Sequence, residues 1–99
     1  MTDDQDRAYI RTAEAALDRL FDQYAEASPA DQWLLKPAIT KASEELLTAR
    51  LALFKEGALT TAADMASLQA LKQEIDQAAD TQSLVMSAVK LAALLGAFA

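Results

Sequence analysis

The sequence predicts an all-α fold: a small helical bundle built from an antiparallel hairpin of two helices and a long C-terminal helix. The 99 residues are 53% hydrophobic, with only two glycines and two prolines. Alanine and leucine are the commonest apolar residues, and both favour helix. Apolar positions recur at alternating intervals of three and four, which is the period of an amphipathic helix. A chain of this length forms one domain, so we expect residues 1–99 to be a single helical domain.

The first helix is expected over approximately residues 3–27. Thr2 or Asp3 can cap its amino end, and the early aspartates suit the positive end of the helix dipole. One face carries an apolar stripe with spacings of three and four. The stripe consists of Ile10, Ala13, Leu17, Leu20 and Tyr24.

The second helix is expected over residues 31–56, preceded by Ser28 as a candidate N-cap and by Pro29, which fits a first helical position, with Gly57 as its stop. Pro37 removes a helical hydrogen bond and disfavours helical angles at Lys36. We therefore expect a kink or a restart of the helix at Pro37. Trp33 is expected to clamp the corner between the first two helices, the alternative being a hot spot for a partner.

Two apolar stripes follow the second helix. One keeps a strict spacing of four and three and comprises Leu35, Ile39, Ala42, Leu46, Ala49 and Leu53. The other, roughly a third of a turn around the helix, comprises Leu47, Leu51 and Phe54. A helix with so broad an apolar arc must be covered on two sides, which one antiparallel neighbour cannot do.

The third helix is expected over residues 62–98. Thr61 and Asp64 have the spacing of a capping box at its start. No glycine or proline separates this start from the apolar C-terminal segment, so we favour one long helix. The alternative is a break near residues 80–83, with Asp80 as the cap of a fourth helix.

The C-terminal segment Leu84–Ala99 contains one charged residue, Lys90. As a helix it spans about 24 Å, less than the hydrocarbon core of roughly 30 Å, so we do not expect it to cross a membrane. In an unbroken helix its leucine row faces outwards, where a soluble monomer would leave a large apolar patch. We therefore expect a homo-oligomer, most simply a two-fold dimer, the alternative being burial in the chain's own core. The predicted interface comprises Leu84, Leu91, Leu95 and Phe98, with Leu47, Leu51 and Phe54 as the facing stripe.

The composition argues against catalysis and against ligand chemistry. Histidine and cysteine are absent, which removes the commonest general base, the thiolate nucleophile and the usual zinc ligands. Two glycines cannot form a glycine-rich phosphate loop. A net charge of -6 argues against a nucleic-acid binder. We expect no catalytic residue, cofactor or metal.

An acidic ladder follows the first helix at intervals of four residues: Glu14, Asp18, Asp22 and Glu26. Like charges at this spacing repel one another by a few tenths of a kcal/mol per pair. The ladder could be a docking stripe for a basic partner or a weak divalent-cation site. We favour a solvated helix face, partly offset by Arg11 and Arg19.

The sequence as a whole favours a non-enzymatic helical interaction or assembly module that self-associates through its apolar C-terminal helix. The alternatives are a subunit of a larger helical assembly, of secretion-apparatus or phage type, and a membrane-active small protein. The first ten residues do not resemble a signal peptide. We therefore expect a cytoplasmic protein, with leaderless export as the alternative.

Overall fold

The computed structural model describes residues 4–56 and 60–98. Within these ranges it contains four helices and no strand, which confirms the predicted all-α class. The helices are α1 (Asp4–Glu26), α2 (Pro29–Glu56), α3 (Ala62–Gln77) and α4 (Thr81–Gly96). The predicted caps at Thr2 or Asp3 and the predicted stop at Gly57 lie outside the described residues.

The corner between α1 and α2 is closed by polar contacts. The Asp31 backbone N–H donates to the Ser28 hydroxyl at 3.3 Å, which caps α2 as the sequence predicts. The Gln32 side-chain amide donates to the Tyr24 carbonyl at 2.9 Å and ties the two helices together. Trp33 is 80% exposed, so the prediction that it clamps this corner is wrong.

Helix α2 continues through Pro37, which excludes a restart, whereas the kink expected at Pro37 stays a prediction. Leu35 and Ile39, on either side of the proline, are buried in the core and hold both halves of the helix in place. Pro37 itself is exposed, where water can bond the carbonyl that loses its helical partner. Tertiary packing therefore outweighs the local preference of Lys36 and Pro37.

The predicted long C-terminal helix is also wrong, because the chain breaks between α3 and α4. Ala78 leaves the helical conformation with φ -62° and ψ 126°. Asp80 then caps α4, and its carboxylate accepts a hydrogen bond of 2.7 Å from the Ser83 N–H. This hydrogen bond lowers the pKa of the Asp80 carboxyl. The alternative of a break at Asp80 therefore describes the chain.

The four helices form two antiparallel hairpins. Glu14 of α1 and Arg50 of α2 form an ion pair at 3.9 Å across the first hairpin. Glu74 of α3 and Lys90 of α4 form one at 3.4 Å across the second. The first hairpin forms one layer of the bundle and the second forms the other.

The two layers stack so that α1 lies on α3 and α2 lies on α4, whereas the α2 and α3 backbones are diagonal and do not approach each other closely. Helix α3 runs parallel to α1, since Thr60 contacts Asp6 at one end and Asp76 contacts Arg19 further along. Helices α2 and α4 are therefore also parallel. Gly96 at the end of α4 lies beside Glu45, so the last three turns of α2 extend beyond α4.

The leucine row of the C-terminal segment lies in the chain's own core. Leu91 and Leu95 are fully buried and Leu84 is 7% exposed. The fold back at Asp80 turns this row inwards, against the first layer, while Leu68, Leu71 and Ile75 fill the same core from α3. The expectation that the row faces outwards is wrong, because it depended on an unbroken helix.

Candidate interaction surface

Exposed apolar side chains are concentrated on α2. The described residues include eight large hydrophobic side chains that are exposed, and five of them belong to this helix. These five are Trp33, Leu34, Leu47, Leu51 and Phe54, and the others are Phe21, Met86 and Val89. Helix α2 is therefore apolar towards the core and also towards solvent.

The largest regular patch is the outer stripe, which we define as Leu47, Leu51 and Phe54. These side chains are 60%, 63% and 78% exposed. Their spacing of four and three places them on one side of α2. That side faces away from both neighbours, since α1 contacts the helix at Arg50 and α4 approaches it at Glu45. The sequence predicted a facing stripe here, but the leucine row that was expected to meet it is buried elsewhere.

A groove between α1 and α2 opens beside the outer stripe, with a volume of about 340 Å³. Its apolar lining comes from Ile10, Leu53 and Phe54, and the last of these also belongs to the outer stripe. Its polar lining includes three arginines, Arg7, Arg11 and Arg50, which are all exposed. We call this feature the arginine groove. Asp6 and Glu14 line the groove as well, and Glu14 pairs with Arg50, so Arg7 and Arg11 are its basic residues without an ion pair among the described residues.

The acidic ladder lies on α1, where its first member, Glu14, lines the arginine groove and the other three follow in the next turns of the helix. Glu14 is half-buried and pairs with Arg50, whereas Asp18, Asp22 and Glu26 are exposed. Among the described residues, no group of three or more carboxylates is arranged to hold a metal ion. The divalent-cation alternative therefore receives no support from this part of the chain.

Four residues of the predicted interface lie away from this surface. Leu84, Leu91 and Leu95 are core residues, so they are not available to a second chain. Phe98 is half-buried, and its ring meets the Tyr9 ring edge-on with centroids 5.3 Å apart. Burial, and secondarily the Asp64 carboxylate, raises the pKa of Tyr9 to about 12.

A buried polar contact joins the layers at the same end of the bundle. Asp6 is fully buried, and one of its carboxylate oxygens accepts hydrogen bonds from the Thr60 backbone N–H, at 3.0 Å, and from the Thr60 hydroxyl. This contact fixes the start of α3 against α1. Nothing in the sequence indicates this contact, because Asp6 is placed like any aspartate in the first turn of a helix.

Three further exposed apolar side chains are Leu34 on α2 and Met86 and Val89 on α4. Val89 lines a groove between α2 and α4 with a volume of about 510 Å³, and Met86 lines a separate groove between α3 and α4. Sequence reasoning missed the exposure of these side chains and the arginine groove. The pair Arg7 and Arg11, four residues apart just before the acidic ladder, is the signal from which the groove could have been predicted.

Comparison of the chain with protein families, with curated proteins and with solved structures finds no match. Among the described residues, no helix has the length and apolar character needed to cross a membrane.

Proposed function

We propose that this protein is a non-enzymatic helical interaction module that self-associates through the outer stripe of α2. The observation that carries the proposal is the exposure of Leu47, Leu51 and Phe54 on one side of one helix. Burying each of these side chains is worth about 1.5–3 kcal/mol, scaled down for the part already covered. Soluble monomers rarely keep such a row in water, so the stripe is suited to a second helix.

A second copy of the chain fits this stripe. When two α2 helices cross antiparallel with Leu47 opposite Leu51 of the second copy, the reciprocal contact forms by symmetry. Glu44 then lies opposite Phe54 of the second copy and beside its Lys55. Both charges flank the stripe on the same side, at opposite ends. The surface is therefore complementary to itself in apolar contacts and in charge.

The size of the stripe predicts a modest affinity for α2 contacts alone. A stable interface buries about 800 Å² per partner, which is more than three partly exposed side chains supply. The self-association we propose therefore needs further contacts beside the stripe, and α1 is the helix next to it.

The test is the solution mass of the protein across a wide concentration range, by light scattering and sedimentation. We expect a concentration-dependent dimer for the natural sequence. Leu47→Glu with Leu51→Glu should give a folded, helical monomer, because both side chains are exposed. The matched control is Met86→Glu with Val89→Glu, which changes two equally exposed side chains on α4 and should leave the dimer intact. A monomeric natural protein, or a dimer that persists in the α2 variant, would refute the proposal.

A subunit of a larger helical assembly is the second candidate. It is favoured by the exposed apolar side chains Met86 and Val89 on α4, since a second apolar contact region on the chain would allow head-to-tail growth. Filaments or species above a dimer, abolished by the Met86 and Val89 substitutions, would favour it. The membrane-active alternative is less well supported, since α4 buries its leucine row in the core.

A further inference from the structure

We propose that α1 determines the orientation of the dimer: the arginine groove of each copy receives Asp18 and Asp22 of the other copy. The inference rests on the proposed self-association and names a second contact for it. The partner is a second copy of this chain, placed antiparallel about a two-fold axis that crosses α1 and α2. In that arrangement α1 lies on α1 and α2 lies on α2.

The charged residues of this contact share one side of α1. At 100° per residue, Arg7, Arg11, Asp18 and Asp22 fall within an arc of about 60°. Arg7 and Arg11 line the same groove as Phe54, so this side of α1 opens beside the outer stripe. The apolar row on α2 and the charged row on α1 therefore belong to one face of the first layer, opposite α3 and α4.

The charges on this row are separated by sign. The amino-terminal half carries Arg7 and Arg11, and the carboxyl-terminal half carries Asp18 and Asp22. Among the described residues, none of the four has an ion-pair partner within 4.0 Å. Within each half, like charges four residues apart repel. A second copy in antiparallel orientation would bring opposite charges to both halves.

The spacing of the row makes it complementary to itself. If Arg7 lies opposite Asp22 of the second copy, Arg11 lies opposite its Asp18 in the same register. The midpoint of both pairs falls between positions 14 and 15. The dimer would gain two such pairs on each side of its axis, four in all.

The outer stripe predicts the same axis independently. The contact of Leu47 with Leu51 of the second copy has its midpoint at Ala49. The Glu14 Oε1 and Arg50 Nη1 atoms are 3.9 Å apart, so these two residues lie in the same part of the hairpin. The α1 midpoint is beside Glu14 and the α2 midpoint is beside Arg50, so the two midpoints also lie in the same part of the hairpin. One two-fold axis satisfies both rows, and it passes beside the Glu14–Arg50 pair.

The test is a charge-reversal exchange, with dimer affinity measured by sedimentation and helix content by circular dichroism. Arg7→Glu with Arg11→Glu should raise the dimer Kd by about tenfold or more, because four attractive contacts become repulsive. Asp18→Lys with Asp22→Lys should do the same. Mixing the two variants in equal amounts should give a heterodimer whose Kd is close to that of the natural dimer, because opposite charges then meet on both sides of the axis.

A matched control separates this contact from a general effect of net charge. Lys72→Glu with Lys90→Glu changes the net charge by the same amount as the arginine reversal. It does so on the second layer, where both lysines are in exposed ion pairs. We expect this variant to dimerise like the natural protein. The natural dimer should also weaken as the salt concentration rises.

The outcomes distinguish the two proposals. Restored association in the mixture supports the α1 contact. A natural dimer whose Kd is unchanged by either reversal, or a mixture that fails to recover, overturns the α1 contact and leaves association through the outer stripe standing. A monomeric natural protein overturns both.

Discussion

Helix α4 and the carboxyl-terminal half of α2 are both rich in leucine, yet they are used in opposite ways. The row on α4 is buried, with Leu91 and Leu95 fully covered. The outer stripe on α2 is shorter and stays largely in water. The difference shows that apolar content alone does not identify an interface. The positions of the neighbouring helices decide which row the chain covers itself.

The largest expected effect comes from truncating one leucine in each row. Leu91→Ala should lower the free energy of unfolding by about 2–5 kcal/mol, because it opens a cavity in a packed core. Leu51→Ala should change it by about 0.5 kcal/mol or less at concentrations where the protein is monomeric. Urea denaturation followed by circular dichroism measures both. Equal losses in the two variants would mean that the outer stripe is also part of the core.

Phe98 lies at the edge of the buried row, where it is half-buried and contacts Tyr9, so its truncation should have a smaller effect than that of Leu91. Phe98→Ala should lower the free energy of unfolding by about 1–2 kcal/mol, less than a full core truncation. It should also admit water to Tyr9 and lower the pKa of that phenol from about 12 towards 10. Ultraviolet titration of tyrosinate follows this change. Phe98→Leu, which keeps an apolar side chain, is the control. It should keep most of the free energy of unfolding and most of the increase in the pKa of Tyr9. An unaltered Tyr9 titration in Phe98→Ala would show that the ring contact does not shield the phenol.

The smallest effect concerns the break that turns α4 inwards. The pKa of Asp80 is lowered from its ordinary value of 3.8 by the hydrogen bond from Ser83. Its cap therefore stabilises the fold above about pH 4 and loses this contribution as the pH falls through the lower folded-state pKa. Asp80→Asn keeps a capping side chain without a titration, so its Tm should depend less on pH in this acidic range. Identical pH profiles for the two proteins would exclude a role for this carboxylate in acid stability.

Several local features of the structure could be predicted from the sequence. The Thr61 hydroxyl accepts from the Asp64 N–H at 3.1 Å, and the Asp64 carboxylate accepts from the Thr61 N–H at 2.9 Å, which confirms the capping box. Such signals are local, since cap and partner are three residues apart. The core stripe of α2 was predicted for a similar reason, because its period is written in the residue types.

The break at Asp80 and the continuity at Pro37 could not be predicted in this way. Asp80 has neighbours that are compatible with a helix interior, and Pro37 has a strong local preference against one. In each case, whether the helix breaks or continues depends on which apolar side chains the chain must bring into the core. The arginine groove was missed because its basic residues come from two helices that meet only in the fold: Arg7 and Arg11 lie on α1, and Arg50 lies on α2.

The sequence by itself determined the helical class, the capping box at Thr61 and the presence of two apolar rows that a simple two-helix hairpin would not cover. These follow from residue type and spacing within a few turns of chain. Only the tertiary structure decided which row is buried and which remains exposed. The physical reason is that the burial of a helix face depends on which other helices pack against it. The turn at Asp80 places the α4 row against the core, whereas no helix of the described chain lies over Leu47, Leu51 and Phe54.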